Sequence, residues 1–200
     1  MTLVQRVRRR RANHQRGAAM VEAAIMTPLF FLLLFAALEF GLAFRNYLTV
    51  ANTTRNAARI ASAVGNDLNA DFNILKEVKS ASAAIPAESI NEIVVFDAGS
   101  VNGSIEDVAR VACKTASVSG VCNRYTPLDL ELDEDDFGCE VADPDRFWCP
   151  DTRNVSLAVS GPPDYIGIYI SVDYEFITGL FGSTKTFTDE VVIRLEPKEQ

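Results

Sequence analysis

Two groups of side chains in this sequence are of types that do chemistry: carboxylates inside an apolar segment, and cysteines inside a polar one. Glu22 and Glu39 stand in AAMVEAAIMTPLFFLLLFAALEFGLAF, residues 18–44, a run of 27 positions otherwise broken only by Thr27 and Pro28. A carboxylate in such surroundings is costly unless it meets a cation, a donor or water, so each is a candidate site. The two are 17 residues apart, about 25 Å along a continuous helix, so each can lie near one face of a bilayer and reach its headgroups. Cys113, Cys122, Cys139 and Cys149 all follow the apolar run, in a stretch rich in glycine and acids. Four thiols could hold zinc, but no Cys-x-x-Cys pair is present and the sole histidine, His14, lies far upstream. Disulfides in an oxidising compartment suit them better, and no metal or other cofactor is expected. Three pairings are possible; short loops close at least entropic cost, which favours Cys113–Cys122 with Cys139–Cys149.

Catalysis has little to work with. No histidine follows His14, no Gly-rich phosphate loop opens a helix, and no Gly-x-Ser-x-Gly elbow occurs, so the chain is not expected to be an enzyme. Acid–base chemistry by paired carboxylates alone is the one alternative of that class, in a secreted hydrolase with an uncleaved anchor. Acids alternate at Asp129, Glu131, Asp133 and Asp135 with Glu140 at the twelfth place, as in a calcium loop, yet Glu134 occupies the place where an EF-hand needs glycine. A solvated acidic loop is the plainer reading.

The formal net charge of -8 hides an asymmetry. Residues 1–17 hold Arg6, Arg8, Arg9, Arg10, Arg11 and Arg16 and no acid, which leaves 13 Lys and Arg against 27 Asp and Glu beyond, a net charge of -14. Arginines directly before a long apolar run are held in the cytoplasm, so membrane topology explains the cluster better than nucleic-acid binding. A cleaved secretory signal has a shorter apolar region ending at a small-x-small site, whereas this run passes straight into an amphipathic pattern. The expected organisation is a basic cytoplasmic leader at 1–17, a transmembrane helix at 18–44 and one extracytoplasmic domain at 45–200.

Gly17-Ala18-Ala19-Met20-Val21-Glu22, preceded by basic residues, resembles the prepilin cleavage signature, with glycine before the cut and glutamate five residues after it. That resemblance implies cleavage between Gly17 and Ala18 by a membrane prepilin peptidase, with Glu22 serving recognition and assembly. Cutting creates an ammonium at Ala18, which a carboxylate from Glu22 of the same or a neighbouring subunit can pair in low dielectric. The longer segment from Arg16 to Ala63, with Pro28, Glu39-Phe40-Gly41 and the alanine-rich stretch from Arg55, resembles the TadE-like family of the Tad, or Flp, pilus system. It departs from Flp-type sequences at Ala23, where an aromatic commonly follows the glutamate. Tyr165-Ile166-Gly167-Ile168-Tyr169, Ile177 to Gly182 and Arg194 to Pro197 are similar to the extracytoplasmic part of actinobacterial TadE-like proteins.

These residues need elements to position them. Leu48, Ala51, Ala58, Ala61 and Val64 continue a helical stripe beyond Arg45, which Gly65-Asn66 can end in a left-handed turn. Such a stripe packs against sister subunits or, more commonly, against the chain's own sheet. Spacing predicts a second helix from Asp71 to Ala84 and a strand from Ile90 to Phe96. From Asp97 to Asn154 the pattern dissolves into a long loop region held by bridges. Alternation at 155–159, 166–172 and 187–195 then predicts an antiparallel sheet with one buried face. The expected fold is α+β and pilin-like. The expected function is that of a minor pilin or pseudopilin in a Tad (Flp, type IVc) pilus, acting in assembly or adhesion with the prepilin peptidase, other pilin and Tad subunits and the membrane as partners. The alternative is a permanently anchored single-pass envelope protein whose ectodomain binds a ligand or partner.

Overall fold

A computed structural model describes residues 3–156, 161–179 and 181–198, with side chains from Gly17 onward. The side chains of His14 and the leader arginines, Leu157 and Val159 of the expected alternation, and Leu180 lie outside the described residues.

One helix, α1 (Leu3–Val64), runs through leader, apolar segment and amphipathic stretch without a break. Pro28 removes one backbone N–H within it, and the Thr27 hydroxyl donates to the Ala23 carbonyl (2.6 Å) one turn back. The helix stops where the sequence predicts: Gly65 takes φ +57°, a conformation easy only for glycine. The Lys198 ammonium donates to the Val64 carbonyl (2.7 Å), matching the negative end of the helix dipole.

The second helix, α2 (Ala70–Ala81), is shorter than its periodicity suggests; the Ser82 and Ile85 amides turn back on Val78 and Ser82 before Pro86. Strands β1 (Ile90–Asp97), β2 (Cys122–Tyr125), β3 (Tyr165–Glu175) and β4 (Thr184–Arg194) form one antiparallel sheet in the order β2-β1-β3-β4. Residues 97–154, expected to be loop, thus contribute one short strand and several 3-10 turns.

Both faces of the sheet are covered. Ala57, Ala58 and Ala61 of α1 and Ile74, Leu75 and Val78 of α2 pack with Ile93, Val95, Ile168 and Ile170. The small-residue stripe therefore meets the chain's own sheet, although Leu48 stays exposed and Val50 takes its place inside. On the other face Phe96, Ile105 and the Cys113–Cys122 disulfide form a second, smaller core beneath the loop that follows β1. The Cys139–Cys149 disulfide closes the second irregular segment.

Phe96 pairs with Gly167 across β1 and β3, and its ring lies over the glycine: a Cβ there would stand 2.1 Å from the ring. Gly167→Ala is expected to destabilise the fold by about 1–3 kcal/mol, since a closely packed core cannot yield that volume. A lowered thermal midpoint of the detergent-solubilised chain would show it, and an unchanged midpoint would refute the close approach.

Candidate functional site

The features that could act lie along α1, and their surroundings change along its length. From Gly17 to Phe35 every residue is exposed, including Met20, Ile25, Leu29, Phe30 and Leu33, and nothing else in the described chain covers them. This apolar surface is one of the helix Gly17–Val64, long and apolar enough to cross a membrane. Gly17, Ala18 and Glu22 sit together on its bare N-terminal part, with nothing within 4 Å of where a Gly17 Cβ would be. Glu39 lies about five turns further on and shares no contact with them.

Glu39 behaves unlike an acid reaching for headgroups. Only 2% of it is exposed. The tip of the β3–β4 hairpin closes over it: the Thr178 amide donates to Oε1 (2.9 Å) and the Thr178 hydroxyl donates to Oε2. Phe181 of the same tip packs at a tilt against Phe40 with ring centroids 4.5 Å apart. The tip can turn so tightly because Gly179 and Gly182 take φ of +68° and +108°. A charge at the margin of an apolar run is thereby satisfied within the chain.

Residues 17–59 match the family model for TadE-like protein. This segment is similar to TadE-like proteins. It holds Gly17, Ala18, Glu22 and Glu39 and reaches into the part of α1 buried by the sheet. TadE-like proteins form a pilus-related family rather than an enzyme family, and the apolar helix of this chain is consistent with a single-pass membrane anchor. No curated protein and no solved structure matches the chain.

Beyond the TadE-like segment, a buried polar cluster ties the irregular loops to α2. Asp71 accepts hydrogen bonds from Arg153 Nη2 (2.7 Å), Asn123 Nδ2 (2.8 Å) and the Tyr125 hydroxyl (2.6 Å). Both partners of the Arg153–Asp71 ion pair are fully buried, and the guanidinium lies 4.3 Å over the Trp148 ring. Burial, and then the Asp71 charge, hold the Tyr125 hydroxyl well above its ordinary 10.0, so it stays a donor. Asp145, also buried, accepts from the Gly138 and Cys139 amides (3.2 and 3.0 Å), which holds Cys139 at φ +67°. These partners lie up to 82 positions apart in sequence, and no local pattern announces them.

The acids of the 129–140 run point into separate local bonds, not one cage. Asp129 caps Thr126, Asp136 caps Asp133, Glu134 accepts from Asn69, and Glu131 pairs with Lys79 at 2.9 Å. Ligand atoms of Cys139, Cys149 and Asp151 converge, but both sulfurs are in the disulfide.

Arg153→Ala would strand a buried carboxylate, and a loss of about 3–5 kcal/mol is expected. The double variant Asp71→Ala/Arg153→Ala should lose less than the two single losses added, because the pair acts as a unit; additive losses in urea unfolding would deny the coupling. Asp189, half-buried on β4, is held above its ordinary 3.8 by burial, against the pull of Arg55 and the Thr54 hydroxyl. A raised carboxyl contributes its stability below the unfolded value and loses it as the pH climbs through the folded one. Between pH 3.8 and neutrality the wild type should thus lose more stability than Asp189→Asn, and parallel melting-versus-pH curves would contradict this.

Proposed function

We propose that the chain is a minor pilin or pseudopilin of a Tad-type pilus. It inserts with residues 1–17 in the cytoplasm and the disulfide-bearing domain outside, and prepilin peptidase cuts it between Gly17 and Ala18. The observation that carries this reading is the length of bare apolar helix projecting from a finished domain, headed by Gly17-Ala18 and Glu22 and matched to the TadE-like family. The domain has filled its own core from Val50 onward, so the exposed segment is left for lipid or for the helices of other pilus subunits. Six arginines before it favour the inside orientation and meet anionic headgroups rather than nucleic acid. The two disulfides suit the outside.

Glu22 then has a defined task. Cleavage frees an ammonium four residues before it, one helical turn away. Because Glu22 is exposed in the single chain, its carboxylate is free to meet that ammonium on its own helix or on a neighbour when helices bundle and water leaves. Incorporation into the fibre would use this pair to set the axial register between subunits.

Mass spectrometry of the protein purified from membranes of its native host is expected to find Ala18 as the N-terminal residue. An intact Met1 or Thr2 would overturn the reading and leave a permanently anchored envelope protein. Cleavage would also remove His14, the chain's one histidine.

A further inference from the structure

The tip of the β3–β4 hairpin touches α1 inside the apolar run, not beyond it. Thr178 binds Glu39 and Phe181 packs against Phe40, while the run continues to Phe44, about 6 Å further along the axis. A bilayer that covers α1 as far as Phe44 reaches the tip too. We propose that this tip is a second membrane contact, seated at the headgroup–acyl boundary of the leaflet on the domain's side. The proposal rests on the anchor reading above.

The chemistry of the tip suits that depth. Residues 176–183 contain no ionisable group, and Ile177 and Phe181 are 76% and 45% exposed, outward-facing apolar surface that water would penalise. Phe40, Phe44, Phe176 and Phe181 line an open recess of about 490 Å³ with Lys185 among its walls. Aromatic rings with a cation at their edge are the composition of a membrane interface, where rings sit among the upper acyl carbons and the ammonium meets phosphate. Arg45, exposed one position past the run, adds a second cation at that level.

The two faces of the hairpin differ accordingly. By register Tyr174, Lys185 and Phe187 share one face, and Lys185 and Phe187 line the recess, whereas Asp173 and Glu175 stand on the other face with Thr186 and with Thr184, which also borders the recess. Neither acid lines the recess itself. Backbone polarity is partly settled as well: the Thr178 amide is spent on Glu39 and the Phe176 amide on the Ser183 carbonyl (2.9 Å). That is compatible with an interfacial depth, where water still reaches the remaining groups.

The test uses the full chain in phosphatidylethanolamine–phosphatidylglycerol vesicles. An environment-sensitive fluorophore is attached at Ile177→Cys and, as a second site on the tip, at Phe181→Cys, the four native cysteines being disulfide-bonded. Leu33→Cys on the bare helix reports the anchor, and Val101→Cys, 62% exposed in the loop after β1, reports water. Both tip sites are expected to be blue-shifted and quenched by shallow spin-labelled lipid roughly threefold more than Val101→Cys, at any protein-to-lipid ratio. Tip sites that match Val101→Cys while Leu33→Cys is quenched overturn the proposal and spare the anchor. Loss of signal at Leu33→Cys as well overturns both. Quenching by lipid that appears only on dilution means that a second copy covers the tip, which also refutes the lipid assignment.

Discussion

Between Val50 and Ala61 the inner face of α1 is built from Val50, Ala51, Thr54, Ala57, Ala58 and Ala61, all buried. Side chains this small let a helix lie close to the sheet, and larger ones would hold the strands away. The sheet in turn fixes everything else: β3 and β4 follow the helix toward its apolar run and place the hairpin tip over Glu39, while β1 carries β2 and the disulfide-closed loops on its other side. At the far end the contact is polar. The Ser62 hydroxyl donates to the Arg194 carbonyl (2.7 Å) and the Glu196 amide to the Ser62 carbonyl (3.0 Å), so the last strand is fastened where the helix ends.

The irregular half depends on different physics. Residues 97–154 contribute Tyr125, Leu130, Phe137 and Trp148 to the main core and Ile105 to the second one, and two disulfides with the Asp71 cluster hold the irregular chain between these anchors. Cross-links restrict the unfolded chain, and a carboxylate with three donors admits few alternative arrangements of the loops around it. Such a surface can present long, acidic, variable segments without loosening the helix–sheet layer beneath.

Periodicity made much of this legible. The apolar run and the stripe after it marked α1, Gly65 its end, and alternation β1, β3 and β4, because each is a local repeat matched to a buried face. The short strand β2 was not legible: Cys122 to Tyr125 is four residues long and gains its identity from pairing with Ile93 to Phe96. Leu48 and Val50 compete for one inward position, and spacing alone does not decide between them. Glu39 showed as a site, but its partner did not, since Thr178 lies 139 positions away. Nothing in the sequence around Asp71 and Arg153 marks them as a pair, and the fold buries both side chains completely.

The absence of any hinge in α1 between the bare segment and the buried one has a mechanical consequence. Phe44 and Val64 belong to one rigid rod, so the domain cannot swivel on its anchor as a bead on a string would. Val64 stands about 30 Å beyond Phe44, and a 10° change in helix tilt would carry the distal end of the domain sideways by about 5 Å. Any force that pulls or tips the apolar segment is therefore transmitted to the far end of the domain as leverage, undiminished by slack in a linker.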